Sequence, residues 1–300
     1  MFGKTRSRQT GAPRRPRIAI ERLDLADLHF ADELPQGRLV DLPGRGTAFV
    51  RVAEGPAGAP TVLLLHGLMA TADLNWSLAV PVLSRRFNVV APDLRGHGRG
   101  LPTRRFSGDE CADDLAAIVR TLELGRVIVV GYSLGGLVAQ IFVRRHPELV
   151  SGVVLCATAS KFDVPTAGGF VQLLERAVRR MPESMRRAAM LALMAPKSTG
   201  SDRGRWLMSE VRRHDTAALL DAIGEASRFD SASWLGESTC GAAVIVTQDD
   251  KVVSPEAQKE LAKVLGRGFV FEVPGDHFAC IKRPDEFNDV LVAACAGAQA

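Results

Sequence analysis

The chain has 300 residues, 46% of them hydrophobic and 24% charged, with a formal net charge of +4. This is ordinary globular composition, with length for one large domain carrying an insertion. The longest apolar runs, such as "VIVV" and "VVLCA", fall far short of the roughly eighteen residues that span a bilayer, so no transmembrane helix is expected.

From Met1 to Arg17 the chain carries Lys4, Arg6, Arg8, Arg14, Arg15 and Arg17 without one acid. No apolar stretch follows of the kind a secretory signal requires. Residues 1–20 therefore read as a disordered basic arm that gives the whole chain its positive sign. A solvated tail is expected, with weak contact to an anionic membrane surface as its alternative role and no nucleic-acid partner. Cys111, Cys156, Cys240, Cys280 and Cys295 have neither paired spacing nor C-x-x-C. That argues against a disulfide framework and a zinc site, and for a reducing cytoplasm.

In chain order, "RLVDL" and "TAFVRVA" read as two strands joined through "PGRG", and "TVLLLHG" as a buried strand ending at His66 and Gly67. "LAVPVLSRRF" is helical, "NVVAPD" is a strand, and "LRGHGRGLP" is a loop too broken by glycine to continue either. "GDECADDLAAIVRTLEL" has apolar residues at helical spacing, "RVIVV" is a strand, "LGGLVAQIFVRRHP" is a helix stopped by Pro147, and "VSGVVLCATA" is another strand. Strands alternating with helices imply an α/β fold, a mostly parallel sheet flanked by helices. Over residues 161–235 helical patterns replace strands: "GGFVQLLERAVRRM", "ESMRRAAMLALM" and "DTAALLDAIGEASRF" read as an inserted helical cap. The sheet resumes with "GAAVIVT", a helix from Pro255 to Leu265, the strand "GFVFEV" and a last helix "RPDEFNDVLVAACAG". The core is thus expected at 21–160 and 236–300.

Gly131-Tyr132-Ser133-Leu134-Gly135 matches G-x-S-x-G between a strand and a helix, the setting in which a tight turn lifts a serine hydroxyl above the sheet edge. The glycines are needed because strand and helix approach too closely for side chains, and the serine is expected in a strained conformation. A serine hydroxyl is a weak nucleophile at neutral pH and needs a base that a third group orients. His277, in "VPGDHFAC" beyond the last predicted strand, is the expected base, and "VIVTQDDKVVSP" offers Asp249 and Asp250 as the acid. An oxyanion hole needs two backbone N–H groups, one after the nucleophile and one after an earlier strand; Leu134 and Leu68 occupy those places. Met69 and Tyr132 are expected against the substrate. His66 and His97 read as structural, and His29, His146 and His214 as surface residues. Asp93, Arg95 and the glycines of "DLRGHGRG" read as scaffold rather than a phosphate cradle, because no helix begins directly after them.

Taken together, "HGL", "DLRGHGRG", "GYSLGG", "TQDDKVVSP" and "GDH" resemble the α/β-hydrolase superfamily, most of all its esterase, lipase-like and haloperoxidase-like branch. The resemblance runs from Arg38 to the end of the chain. In that family the acid loop commonly reads G-x-x-D-x-x-V-P, and the overlay puts the aspartate at Asp250, with Asp249 one place early. Thr247 stands where the pattern has glycine, and Ser254 where it has proline. The family's other place for the acid, after "VVLCA", offers "TASKF" and no carboxylate.

The resemblance implies a serine hydrolase that cleaves a carboxylic ester of a small hydrophobic substrate through an acyl-enzyme, with Ser133, His277 and Asp250 as triad and neither cofactor nor metal. The same triad serves perhydrolysis, acyl transfer, and lactone or carbon–carbon hydrolysis, and a ligand-binding receptor could retain the pocket. Epoxide hydrolases and haloalkane dehalogenases of this fold use an aspartate nucleophile, and the former also take tyrosines from the cap. Here Ser133 holds the nucleophile position and Tyr132 is the chain's one tyrosine, so neither activity is expected. Met181, Met185, Met190, Met194 and Met208 fall in the cap, where adaptable thioethers suit a hydrophobic acyl group or plain core packing. The sequence sets no oligomeric state.

Overall fold

Short runs of Val, Ile and Leu become the strands of one sheet in a computed structural model that describes residues 29–31, 33–162, 177–178, 180–194 and 202–299. The basic arm and most of "GGFVQLLERAVRRM" lie outside the described residues. The strands are β1 (Gln36–Leu42), β2 (Gly46–Ala53), β3 (Thr61–Leu65), β4 (Asn88–Pro92), β5 (Val127–Tyr132), β6 (Val150–Cys156), β7 (Gly241–Thr247) and β8 (Phe269–Val273). The named helices are α1 (Ala72–Trp76), α2 (Ala79–Leu83), α3 (Gly108–Thr121), α4 (Leu134–Arg145), α5 (Glu183–Met194), α6 (Asp202–Val211), α7 (Thr216–Ala226), α8 (Pro255–Leu265), α9 (Ala279–Lys282) and α10 (Pro284–Ala298).

The sheet order is β1-β2-β4-β3-β5-β6-β7-β8. β2 runs antiparallel to both β1 and β4, and every other pair is parallel, as the alternating pattern implied. Parallel neighbours need crossovers, and crossovers lay helices on the faces. β3 and β5 are consequently buried along their whole length, whereas the edge strands β1 and β8 are largely exposed. Side chains alternate between the faces. Leu63, Leu65, Val129, Leu155 and Val244 belong to the layer with Leu115 of α3, Leu137 of α4 and Leu261 of α8. Val62, Leu64, Ile128, Val130 and Ile245 pack with Trp76 of α1, Leu83 of α2 and Phe287 of α10. Because β3, β5, β6, β7 and β8 run the same way, the loops that follow them meet at one edge of the sheet.

Among the boundaries that differ from the sequence pattern, two are set by residues at positive φ. Helix α3 stops at Thr121 rather than Leu124, because Glu123 at φ 51° and Gly125 at φ 68° turn the chain toward β5. β6 stops at Cys156 because Ala157 takes φ 48°.

Between β6 and β7 the expected α5 and α7 are present, together with α6, which the sequence reading passed over. Its apolar Trp206, Leu207, Met208 and Val211 are interleaved with Asp202, Arg205 and Glu210, which blurs the helical stripe. The excursion opens and closes at one neck, where Lys161 pairs with Asp230 and Ser231 N–H donates to Ser160 O at 2.9 Å. Helix α7 seats on the start of α3: Glu225 Oε1 accepts Gly108 N–H at 2.6 Å and Asp221 Oδ2 accepts Phe106 N–H at 3.2 Å. Helix α6 is tied in by Glu210, which accepts from Thr71 Oγ1 at 3.0 Å and pairs with Arg99 at 3.0 Å. Among the described residues no helix is long and apolar enough to cross a membrane.

Candidate active site

β5 ends at Tyr132 and α4 begins at Leu134, so Ser133 alone makes the turn. It sits at φ 52° and ψ −115°, a conformation that costs a side-chain-bearing residue about 1–3 kcal/mol. The surroundings hold it there. Ser133 N–H donates to Cys156 O at 2.9 Å, and Ser133 O accepts from Gly136 N–H at 2.9 Å and Thr158 Oγ1 at 2.9 Å. Glycine is required on both sides: a Cβ on Gly131 would stand 2.4 Å from Gly135 O, and one on Gly135 2.3 Å from Leu65 O. Gly135→Ala is therefore expected to destabilise the fold by about 1–3 kcal/mol, read as a lower urea midpoint at unchanged slope. An unmoved midpoint would mean that β3 and α4 can part more easily than this packing implies.

The loops after β7 and β8 deliver the other two groups to the same edge. His277 Nε2 lies 2.9 Å from Ser133 Oγ, and His277 Nδ1 lies 2.7 Å from Asp250 Oδ2. It is Asp250, not Asp249, that meets the imidazole. Asp249 is exposed, and it ties the acid loop to the histidine loop: its carboxylate accepts Gly275 N–H at 3.3 Å and its own N–H donates to Gly275 O at 3.0 Å. Asp250 Oδ1 accepts the N–H groups of Val252 and Val253 at 2.8 and 2.9 Å. Asp250 Oδ2 accepts from Thr247 Oγ1 at 2.8 Å and Gln258 Nε2 at 3.2 Å besides His277. Burial alone would raise the Asp250 pKa, but His277 and the surrounding donors hold it below the usual carboxylate value. An ionised acceptor at Nδ1 keeps the proton on that nitrogen and leaves Nε2 bare toward Ser133.

The loop after β3 closes on the serine. A Cβ on Gly67 would stand 3.5 Å from Ser133 Cβ. Gly67 N–H donates to Asn75 Oδ1 at 2.9 Å, Ala70 N–H donates to Gly67 O at 3.2 Å, and Met69 takes φ 58°. Among the described residues neither Leu68 N–H nor Leu134 N–H has an acceptor. Leu134 opens α4, where unpaired amides and the helix dipole favour negative charge. Met69 is half-buried in the same loop as Leu68.

Tyr132 is placed differently from the expectation. As the last residue of β5 it points into the face covered by α1 and α10, where it is 3% exposed. Its ring packs on Trp76 and Phe287, with centroids 6.0 and 5.8 Å away, and its phenol donates to His277 O at 2.9 Å. It therefore supports the histidine loop from inside the core rather than facing a substrate.

His66 is structural as expected: Nδ1 donates to Gly67 O at 2.8 Å and Nε2 accepts Leu94 N–H at 2.9 Å, which fixes the tautomer. His97 lies 5.3 Å from it, ring to ring, and His214 5.5 Å from His97. His214 is not a surface residue. It is 1% exposed and accepts Gly98 N–H on Nδ1 at 3.1 Å, pinning the α6–α7 turn to the loop after β4. Burial pushes His66, His97 and His214 down to about 3, so all stay neutral at ordinary pH. His146 is half-buried against Asp113 at 2.9 Å, again short of the exposure expected, while His29 is exposed. Among the described residues no group of three or more His, Cys, Asp or Glu could hold a metal ion. Asn75, Thr247 and Gln258 were missed as site residues because no motif marks them; the one signal was Thr247, a polar residue standing in a glycine position.

The model of the α/β hydrolase fold family matches residues 60–284. The pimeloyl-(acyl-carrier protein) methyl ester esterase of Chromobacterium violaceum is 30% identical over 248 residues, covering 77% of this chain and 92% of that protein. Among solved structures, a hydrolase from Pseudomonas aeruginosa gives a TM-score of 0.73 at 21% identity over 88% of this chain and 99% of the other. The enol-lactonase from Burkholderia xenovorans gives a TM-score of 0.68 at 21% identity, over 86% of this chain and 100% of its own. These two likenesses speak to the fold alone. The family match, by contrast, spans the serine turn, the acid loop and the histidine loop together, and the chain belongs to the α/β hydrolase fold family.

Proposed function

We propose that the chain hydrolyses a carboxylic ester of a small hydrophobic substrate through an acyl-enzyme. The observation that carries this reading is a single imidazole spanning Ser133 Oγ at 2.9 Å and Asp250 Oδ2 at 2.7 Å. Nε2 of His277 takes the Ser133 proton as Oγ attacks the acyl carbonyl, and the Asp250 carboxylate stabilises the imidazolium that results. The carbonyl oxygen, becoming negative, receives the N–H groups of Leu68 and Leu134. The imidazolium then gives its proton to the leaving alkoxide, and water repeats the sequence to release the acid.

Leu68, Met69 and Leu134 would give the acyl group apolar neighbours, which favours a hydrophobic chain over a charged one. Helices α5–α7 serve in this reading as the cap. Its methionines divide: Met190 and Met208 are buried, whereas Met181 and Met185 are exposed and leave an open apolar surface. The Chromobacterium relative is by name a methyl ester esterase, and the bond class is the same.

The test is turnover of a p-nitrophenyl ester series together with a fluorophosphonate probe. The expected result is hydrolysis that varies with acyl length, and covalent labelling at Ser133. Neither turnover nor labelling at Ser133 would sink the reading and leave a binding protein of hydrolase fold.

A further inference from the structure

We propose that Thr247 and Gln258 are positioning residues for Asp250, clamping from two separate elements the carboxylate oxygen that faces His277. The proposal rests on the triad reading above and concerns what makes that triad rigid.

Thr247 ends β7 and Gln258 lies near the start of α8, and both are 0% exposed. Two fully buried polar side chains need partners, and here the partners form a closed set. Thr247 N–H donates to Gln258 Oε1 at 3.0 Å, which only an oxygen can accept, so the Gln258 amide has one permitted orientation. Its Nε2 carries two protons: one goes to Val253 O at 2.8 Å, and the other is shared between Thr247 Oγ1 at 2.9 Å and Asp250 Oδ2 at 3.2 Å. The Thr247 hydroxyl has a single proton. It goes to Asp250 Oδ2 at 2.8 Å rather than to Gln258 Oε1 at 3.3 Å, because the carboxylate is both closer and charged.

The Val252 and Val253 amides hold Oδ1 and so fix one oxygen only, about which the other can still swing. Oδ2 is the oxygen that His277 uses. Donors from β7 and α8 remove that freedom, and a working constellation tolerates only about 0.5 Å of slack. The glycine that the family pattern has at position 247 carries no hydroxyl. In this chain the departure adds a donor to the oxygen that orients the base, which is a role that packing alone does not require.

A loosened carboxylate disturbs proton transfer and leaves substrate binding alone, so the effect falls on kcat and not on KM. The experiment compares Thr247→Val, Thr247→Ser and Gln258→Met with the parent in the full chain. It uses p-nitrophenyl butyrate turnover, fluorophosphonate counting of active sites and thermal unfolding. Thr247→Val is expected to lower kcat per labelled site about tenfold at unchanged KM, Thr247→Ser to recover most of that rate, and Gln258→Met to follow Thr247→Val. The Thr247 pair decides the matter even where Gln258→Met fails to fold, because Thr247 keeps its backbone donor in both variants. Turnover and labelling of the parent test the triad reading separately. With an active parent, an undiminished kcat in Thr247→Val, an equal loss in the Val and Ser variants, or a loss that follows only the folded fraction would each overturn the clamp.

Discussion

Ser133→Ala is expected to lower kcat by about a millionfold while leaving the fold in place. In the proposed reaction the attacking oxygen is the one group in the site that nothing else replaces, since His277 and Asp250, in line behind Ser133 Oγ, would act only through it. Stability should hardly move, for a reason written in the backbone. Alanine carries the same Cβ as serine at φ 52°, so the strain of the turn is unchanged, and the lost Ser133–His277 hydrogen bond is worth about 1 kcal/mol net. Ser133→Gly separates strain from chemistry. Glycine relieves about 1–3 kcal/mol of the unfavourable conformation and gives back about 0.5–1 kcal/mol in unfolded-chain entropy. The glycine variant should therefore be equally inactive yet more stable than the alanine variant in urea. Residual turnover in Ser133→Ala above about a thousandth of the parent rate would place the nucleophile elsewhere.

The serine turn was legible because its determinants are local. A buried strand, a strained residue and two glycines that cannot carry a Cβ all fall within Val127–Gly135, and each leaves a mark in residue type. The order of the later elements was legible for a related reason, since parallel strands covered on both faces must be nearly continuous apolar runs. What escaped was decided across the chain. His214 stands beside Arg212, Arg213 and Asp215 and looks solvated, but its partners His97 and Gly98 belong to the loop after β4. Tyr132 sits next to Ser133 in sequence, yet strand alternation sends it to the opposite environment, beneath the His277 loop. Helix α6 hides because Glu210, a charged residue, is buried to hold Thr71 and Arg99, so its stripe is not apolar. Thr247 was seen as a departure from a pattern; its hydrogen bond to Asp250 depends on the turn that folds the acid loop back on the end of β7.

Asp250→Asn is expected to lower kcat by about ten-thousandfold although it changes the shape of the site hardly at all. The argument comes from the donors around the carboxylate. Oδ1 accepts the amides of Val252 and Val253, which can only donate, whereas the Thr247 hydroxyl at Oδ2 can turn its proton to Gln258 Oε1 at 3.3 Å and accept instead, so an asparagine puts its carbonyl at the Oδ1 position. Its NH2 group then occupies the position of Oδ2 and points a proton at His277 Nδ1, 2.7 Å away in the parent. Nδ1 has to accept, the ring proton moves to Nε2, and the nitrogen facing Ser133 can no longer take the hydroxyl proton. The same substitution removes a titration. Because the Asp250 pKa is held low in the fold, its ionised form stabilises the native state fully above the value of a free aspartate, about 3.9, and that contribution is lost as pH falls below it. The asparagine variant should accordingly lose less stability than the parent between neutral and acid pH, measured by urea unfolding across that range. Activity of Asp250→Asn within about tenfold of the parent would show that Asp250 does not set the imidazole tautomer. A parent-like acid dependence of stability in the variant would show that its carboxylate is not the one held by these donors.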